Sequence, residues 1–193
     1  MTVQIQHGVL QQVAQRQSPH ADARPDETDI SVLVVHGISL PAGQFGTPYI
    51  DQLFMGTIDC DADPSFAVLR NLRVSAHVVI HRDGHCVQYV PFHRRAWHAG
   101  ISHYCGRKRC NDFAIGIELE GTDTTPYTKE QYRTLAEIAA ALVSTYPALT
   151  PQRIVGHQHI APVRKTDPGP AFDWDYFRQL LNAALRASAN KEL

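Results

Sequence analysis

Four cysteines in 193 residues are too few to staple a domain of this size, so Cys60, Cys86, Cys105 and Cys110 read as thiols kept reduced. Excess charge of either sign is missing as well. Eighteen basic and 19 acidic side chains leave a net charge of -1, and no overall field draws the chain to nucleic acid or to an anionic membrane. Anion binding must therefore come from local cations. No window offers the roughly 18 continuous apolar residues of a membrane span. The opening MTVQIQHGVLQQVAQRQSPH lacks the basic and then apolar layout of a secretory signal, and a cytoplasmic protein is expected. Internal repeats and low-complexity tracts are absent too. What is present is a globular composition, 44% hydrophobic and 19% charged, at a length that suits one domain over 1–193 with its core at about 30–186.

The run ISVLVVH, Ile30 to His36, is β-branched and apolar and reads as a buried strand that ends on His36. A stretch rich in Gly, Pro and Asp follows to Pro64, with YIDQLF able to form a turn or two of helix. Ser75–Ile80 and His85–Val90 read as a hairpin around Asp83-Gly84. PFHRRAWHAGISHYCGRKRCND is irregular and basic, and FAIGIEL, Phe113 to Leu119, is a further strand. Thr128 with Gln131 forms a capping-box pattern. Behind it Leu135, Ile138, Ala139, Leu142, Val143 and Tyr146 share one helical face, and Pro147 stops that helix. Arg153–Gly156 is a short strand reaching His157, a last helix buries Phe177, Leu180, Leu181, Ala184 and Leu185, and the tail SANKEL is expected to fray. Strands mixed with two long helices predict an α/β protein with a central mixed sheet and flanking helices.

His36 and His157 both stand at strand ends, and Asp167 follows His157 through a Pro-bearing loop. Two imidazoles and a carboxylate are the three protein ligands of a catalytic zinc, with a fourth position open for water. Glu118 in an apolar strand has the raised pKa suited to proton transfer, and Lys165 is a cation able to face an oxyanion. The spacing leaves a rival open. In GHQHIAPVRKTDPGP, His157 and His159 would point to one face of a strand, and spacing alone favours that pair slightly. His103, Cys105 and Cys110 suggest a metal knuckle only weakly, because a second close-spaced pair is missing.

Taken in order, VLVVHGISLP, RVSAHVVIHRDG, VQYVPFHRRAWHAGIS, GRKRCNDFAIGIELEGTD and GHQHIAPVRKTDPGP closely resemble the AmpD group of N-acetylmuramoyl-L-alanine amidases. That zinc amidase superfamily also holds phage amidases and peptidoglycan recognition proteins. The resemblance runs from about Ser18 to Phe177. It implies zinc held by His36, His157 and Asp167, with Glu118 as acid/base and Lys165 at the oxyanion. His159 is thereby demoted to a neighbour. It implies an amidase-like fold and cleavage between the lactyl group of 1,6-anhydro-muramic acid and L-alanine, in cytoplasmic peptidoglycan recycling that in the family bears indirectly on β-lactamase induction. The substrate is then an anhydro-muramyl peptide, held by Arg73, Trp97 and Arg109; no nucleic acid or membrane is involved, and a monomer is expected. His77 is expected to be a hydrogen-bonded structural histidine and His98 to border the pocket, while His81, His85, His93 and His103 are expected at the surface. Relatives often carry Asn after the first ligand, where this chain has Gly37, and Gln158-His159 replace a small polar pair. Two other readings follow from the same superfamily: a binding module without catalysis, and an exported amidase acting on intact wall.

Overall fold

The computed structural model describes residues 3–189. Six strands make the main sheet: β1 Ala14–Gln15, β2 Val32–Ile38, β3 Val78–Ile80, β4 Cys86–Gln88, β5 Ala114–Glu120 and β6 Ile154–Gly156. Their order is β6-β2-β5-β3-β4-β1. The first four lie parallel, β3 and β4 form the antiparallel hairpin expected around Asp83-Gly84, and β1 runs parallel to β4. The expected α/β class with a mixed sheet is the observed one. β5 is buried along all seven residues, as a central strand covered on both faces must be.

The period of two sorts the side chains by face. Leu33 and Val35 of β2 and Ile115, Ile117 and Leu119 of β5 join the core under helices α2 (Lys129–Thr145) and α4 (Trp174–Ala189). The alternate residues, including His36, Gly116, Glu118 and Glu120, therefore belong to the opposite face. That face carries a second cluster, in which Val32, Val34 and Ala114 meet Ala99, Cys110, Phe113 and Ile160. Helix α1, Tyr49–Met55, arises from the predicted YIDQLF turn and packs Ile50, Leu53 and Phe54 against Val79 and Tyr89.

α2 starts as its sequence dictates. Thr128 accepts from the Gln131 backbone, and the Gln131 side chain returns to the Thr128 backbone, a closed capping box. Tyr146 leaves helical geometry just before Pro147. α4 packs along α2 and extends through Ser188 and Ala189; the rest of SANKEL, 190–193, lies outside the described residues. Among the described residues no helix is long and apolar enough to cross a membrane.

Two boundaries differ from expectation in ways that matter. β2 does not end on His36 but continues to Ile38, because β5 pairs with it throughout, from Ala114 opposite Val32 to Glu120 opposite Ile38. β6 stops at Gly156, and His157–Ile160 form a single helical turn, α3. His157 and His159 are thus separated around a helix instead of sharing a strand face.

Candidate metal centre and active site

Strand register assembles the site. Glu118 lies directly opposite His36 in the β2–β5 ladder, and Gly156 lies opposite Val35, so the next residues, His157 and His36, are neighbours. The loop after α3 returns Asp167 to the same point, where the Gln158 backbone N–H donates to the Asp167 carbonyl at 3.0 Å.

Three atoms converge there. His36 Nδ1 is 3.0 Å from His157 Nδ1 and 3.3 Å from Asp167 Oδ2, and His157 Nδ1 is 3.1 Å from the same oxygen. Those edges nearly match one face of a tetrahedron whose corners lie about 2 Å from a central metal ion. Among the described residues this is the one cluster of three or more His, Cys, Asp or Glu groups placed to hold a metal. The far ring nitrogens are partnered: His36 Nε2 lies 2.9 Å from His98 Nδ1, and His157 Nε2 lies 3.2 Å from the Ala99 carbonyl. A carbonyl only accepts, so His157 carries its proton on Nε2 and turns a bare Nδ1 inward. Converging acceptors with outer nitrogens tied back are what a cation requires.

Burial drives the electrostatics. It pushes His36 down to about 4, against the opposing pull of Asp167. Burial, with the Asp167 charge added to it, raises the Glu118 carboxyl well above its usual range, and nearby Lys165 only partly offsets this. Burial would raise Asp167 as well, but the adjoining His157 and His36 rings outweigh it and hold that carboxyl below the ordinary value. Glu118 Oε1 stands 3.9 Å from His36 Nδ1, and its Oε2 is buried with no hydrogen-bond partner.

These groups line a cavity of about 220 Å³ together with Lys165, His98 and an apolar wall from Leu40, Leu53, Leu69 and Val74. The structure therefore brings together five of the sequence-selected residues: His36, Glu118, His157, Lys165 and Asp167. The other three lie outside this cavity's lining. Arg73 is exposed beside Leu72 and Val74, which do line it. Trp97 and Arg109 line an adjacent cavity of about 480 Å³ with Asp22 and Arg95, where Trp97 Nε1 donates to Asp22 at 3.2 Å and Arg109 pairs with Asp112 at 3.3 Å.

The remaining polar candidates fall into supporting places. His159 Nδ1 accepts from the Gly156 backbone at 2.9 Å and its ring lies against Trp174. Glu120, although on the Glu118 face, is occupied by the Gly46 and Arg82 backbone N–H groups and by His81. His81 is accordingly half-buried rather than a free surface residue, His93 is also partly covered, and His85 and His103 are exposed. His77 is structural, accepting from the Gly116 backbone at 3.0 Å beside the buried Arg24. Cys105 is exposed and Cys110 buried, and no metal knuckle forms from them.

Tyr127 had no sequence signal, and it explains Gly37. Its hydroxyl donates to the Pro168 carbonyl at 3.0 Å, bracing the residue after Asp167. A Cβ on Gly37 would lie 2.3 Å from that hydroxyl, so a side chain at 37 requires the Tyr127 ring to shift. Gly37→Ala is expected to destabilise the protein by about 1–3 kcal/mol through overpacking. Adding Tyr127→Phe should recover much of that loss, and denaturant unfolding of the four proteins of the cycle measures the coupling.

Residues 26–170 match the Amidase_2 family, N-acetylmuramoyl-L-alanine amidase. The chain is 60% identical over 176 residues to a 1,6-anhydro-N-acetylmuramyl-L-alanine amidase AmpD of Salmonella typhimurium strain SL1344, covering 91% of each protein. A crystal structure of a Se-Met AmpD derivative superposes with a TM-score of 0.89 at 59% identity, covering 92% of this chain and 98% of that one. A complex of the Escherichia coli amidase AmiD with anhydro-N-acetylmuramic acid-L-Ala-D-γ-Glu-L-Lys superposes with a TM-score of 0.58 at 29% identity, covering 93% of this chain and 65% of that one.

Proposed function

Given that the chain belongs to the N-acetylmuramoyl-L-alanine amidase family and is an amidase of that kind, we propose that it hydrolyses the lactyl–L-alanine amide of 1,6-anhydro-muramyl peptides, with zinc, in cytoplasmic recycling of wall fragments. The observation that carries this reading is the triangle of His36 Nδ1, His157 Nδ1 and Asp167 Oδ2, with Glu118 beside it in one cavity. His36, His157 and Asp167 would hold a zinc ion, which would supply the Lewis acidity to acidify water and polarise the scissile carbonyl.

Glu118 takes a proton from the water that attacks the carbonyl carbon. Its raised pKa lets the carboxyl keep that proton until the C–N bond breaks, and then hand it to the departing L-alanine amine. The other product is the lactyl carboxylate. Lys165, on the cavity wall, places a cation near the oxygen that gains charge in the tetrahedral intermediate. The apolar wall of Leu40, Leu53 and Leu69 faces the same cavity and helps to exclude water from a substrate bound there. Arg73, Trp97 and Arg109 lie outside this lining, on surfaces beside it that suit the longer peptide and its carboxylates. A binding module without catalysis is disfavoured, because all three ligand positions and the base are present together.

Hydrolysis of anhydro-muramyl tripeptide is expected to stop with a chelator and return with added zinc, and the non-anhydro analogue is expected to react more slowly. Turnover indifferent to the chelator would overturn the zinc reading. Preferential attack on polymeric peptidoglycan would overturn the recycling role.

A further inference from the structure

We propose that His98 is a positioning residue: by accepting the Nε2 proton of His36, it fixes the tautomer that leaves His36 Nδ1 bare for the metal. This rests on reading the His36–His157–Asp167 triangle as a metal site. His36 Nδ1 faces two other acceptors at 3.0 and 3.3 Å, so a proton there would stand where the metal must bind. The proton belongs on Nε2, and the one group it meets is His98 Nδ1 at 2.9 Å. The two rings are nearly perpendicular, at 88°, and meet through these edge nitrogens rather than by stacking. His98 then carries its own proton on Nε2, and that atom is buried with no hydrogen-bond partner. A ring placed merely to fill space would not be expected to leave a polar atom orphaned.

Two features hold the ring in place. Gly116 in the middle of β5 leaves a seat for it, since a Cβ there would lie 2.4 Å from His98 Cγ and 2.5 Å from its Nδ1. Asn111 grips the backbone, its Oδ1 accepting from the N–H groups of His98 at 3.1 Å and Ala99 at 2.8 Å. The same clamp presents the Ala99 carbonyl to His157 Nε2 at 3.2 Å. One carboxamide thus aligns the outer partners of both imidazoles. Arg164 steadies the arrangement, donating to the Ala99 carbonyl at 2.7 Å and the Ile101 carbonyl at 3.1 Å.

Two readouts other than turnover test this. Long-range proton–nitrogen NMR of the metal-free wild-type protein is expected to show His36 already protonated at Nε2 and bare at Nδ1; a proton on Nδ1 overturns the proposal. Zinc affinity, measured by competition with a chromophoric chelator, is expected to fall about 10–100-fold in His98→Leu. His98→Asn, whose Oδ1 can stand in for the imidazole Nδ1, is expected to restore much of the loss. Gly116→Ala, which keeps every polar atom but fills the seat, is expected to weaken zinc binding too. If His98→Leu does not fold, the asparagine and alanine variants and the NMR tautomer still decide the matter. Wild-type zinc affinity in His98→Leu and Gly116→Ala would overturn the proposal and leave the metal-site reading standing. A wild-type protein that binds no zinc would overturn both.

Discussion

Glu118→Gln is expected to lower kcat/KM by about 10²–10⁴-fold while leaving the zinc content unchanged. The substitution keeps the side-chain shape beside His36 and removes the group that can take up and return a proton. It has a second consequence with the opposite sign. The folded protein raises the Glu118 pKa well above 4.5, first through burial and then through Asp167. Below 4.5 the folded and unfolded chains both hold that proton, and the side chain carries no electrostatic penalty. Above it the unfolded chain releases the proton and the folded chain resists, so stability falls as pH rises until the folded-state carboxyl ionises. Metal-free Glu118→Gln should therefore melt higher than metal-free wild type at neutral pH, and the gap should close below 4.5. Near-normal turnover in the variant would exclude Glu118 as the base. A variant that melts lower than wild type at neutral pH would mean the buried charge carries no such penalty.

Asp167→Asn is expected to release the metal. Among the three converging atoms only Oδ2 bears a full charge, and the amide of the same shape leaves a neutral set. Affinity for zinc should drop by more than the roughly 100-fold that loss of a supporting residue causes. Turnover at equimolar zinc should reach background and recover only in part when zinc is in large excess. Metal analysis after gel filtration checks the first effect and hydrolysis of the anhydro-tripeptide the second. Retained stoichiometric zinc would remove Asp167 from the ligand set.

Much of the architecture was legible in the residues. The β-branched runs around Val34 and Ile117, the Asp83-Gly84 turn and the Thr128 capping box are local patterns, and each produced the element expected of it. The site was legible as residue types, and the motif resemblance pointed to the five residues that the structure gathers in one cavity. Local spacing alone favoured the wrong partner for His157. Whether two residues at i and i+2 share a face depends on whether the segment is a strand or a helix, and GHQHI changes from one to the other at Gly156.

By its own composition and order, then, the chain determined its buried β-branched strands, the capped start and the proline stop of its first long helix, and the chemical types available for a reaction. Tertiary structure alone decided which of eleven histidines meet. Pairing of β2 with β5 and β6 places Glu118 and His157 beside His36, although 121 residues separate the two histidines along the chain. The supporting shell was equally invisible, because it uses groups without a local signature: the Ala99 carbonyl, the Asn111 carboxamide, and Gly37 and Gly116, whose absent side chains make room for Tyr127 and His98. Local propensity acts over a few residues, whereas a metal site needs atoms held about 3 Å apart by segments that only the folded sheet brings into register.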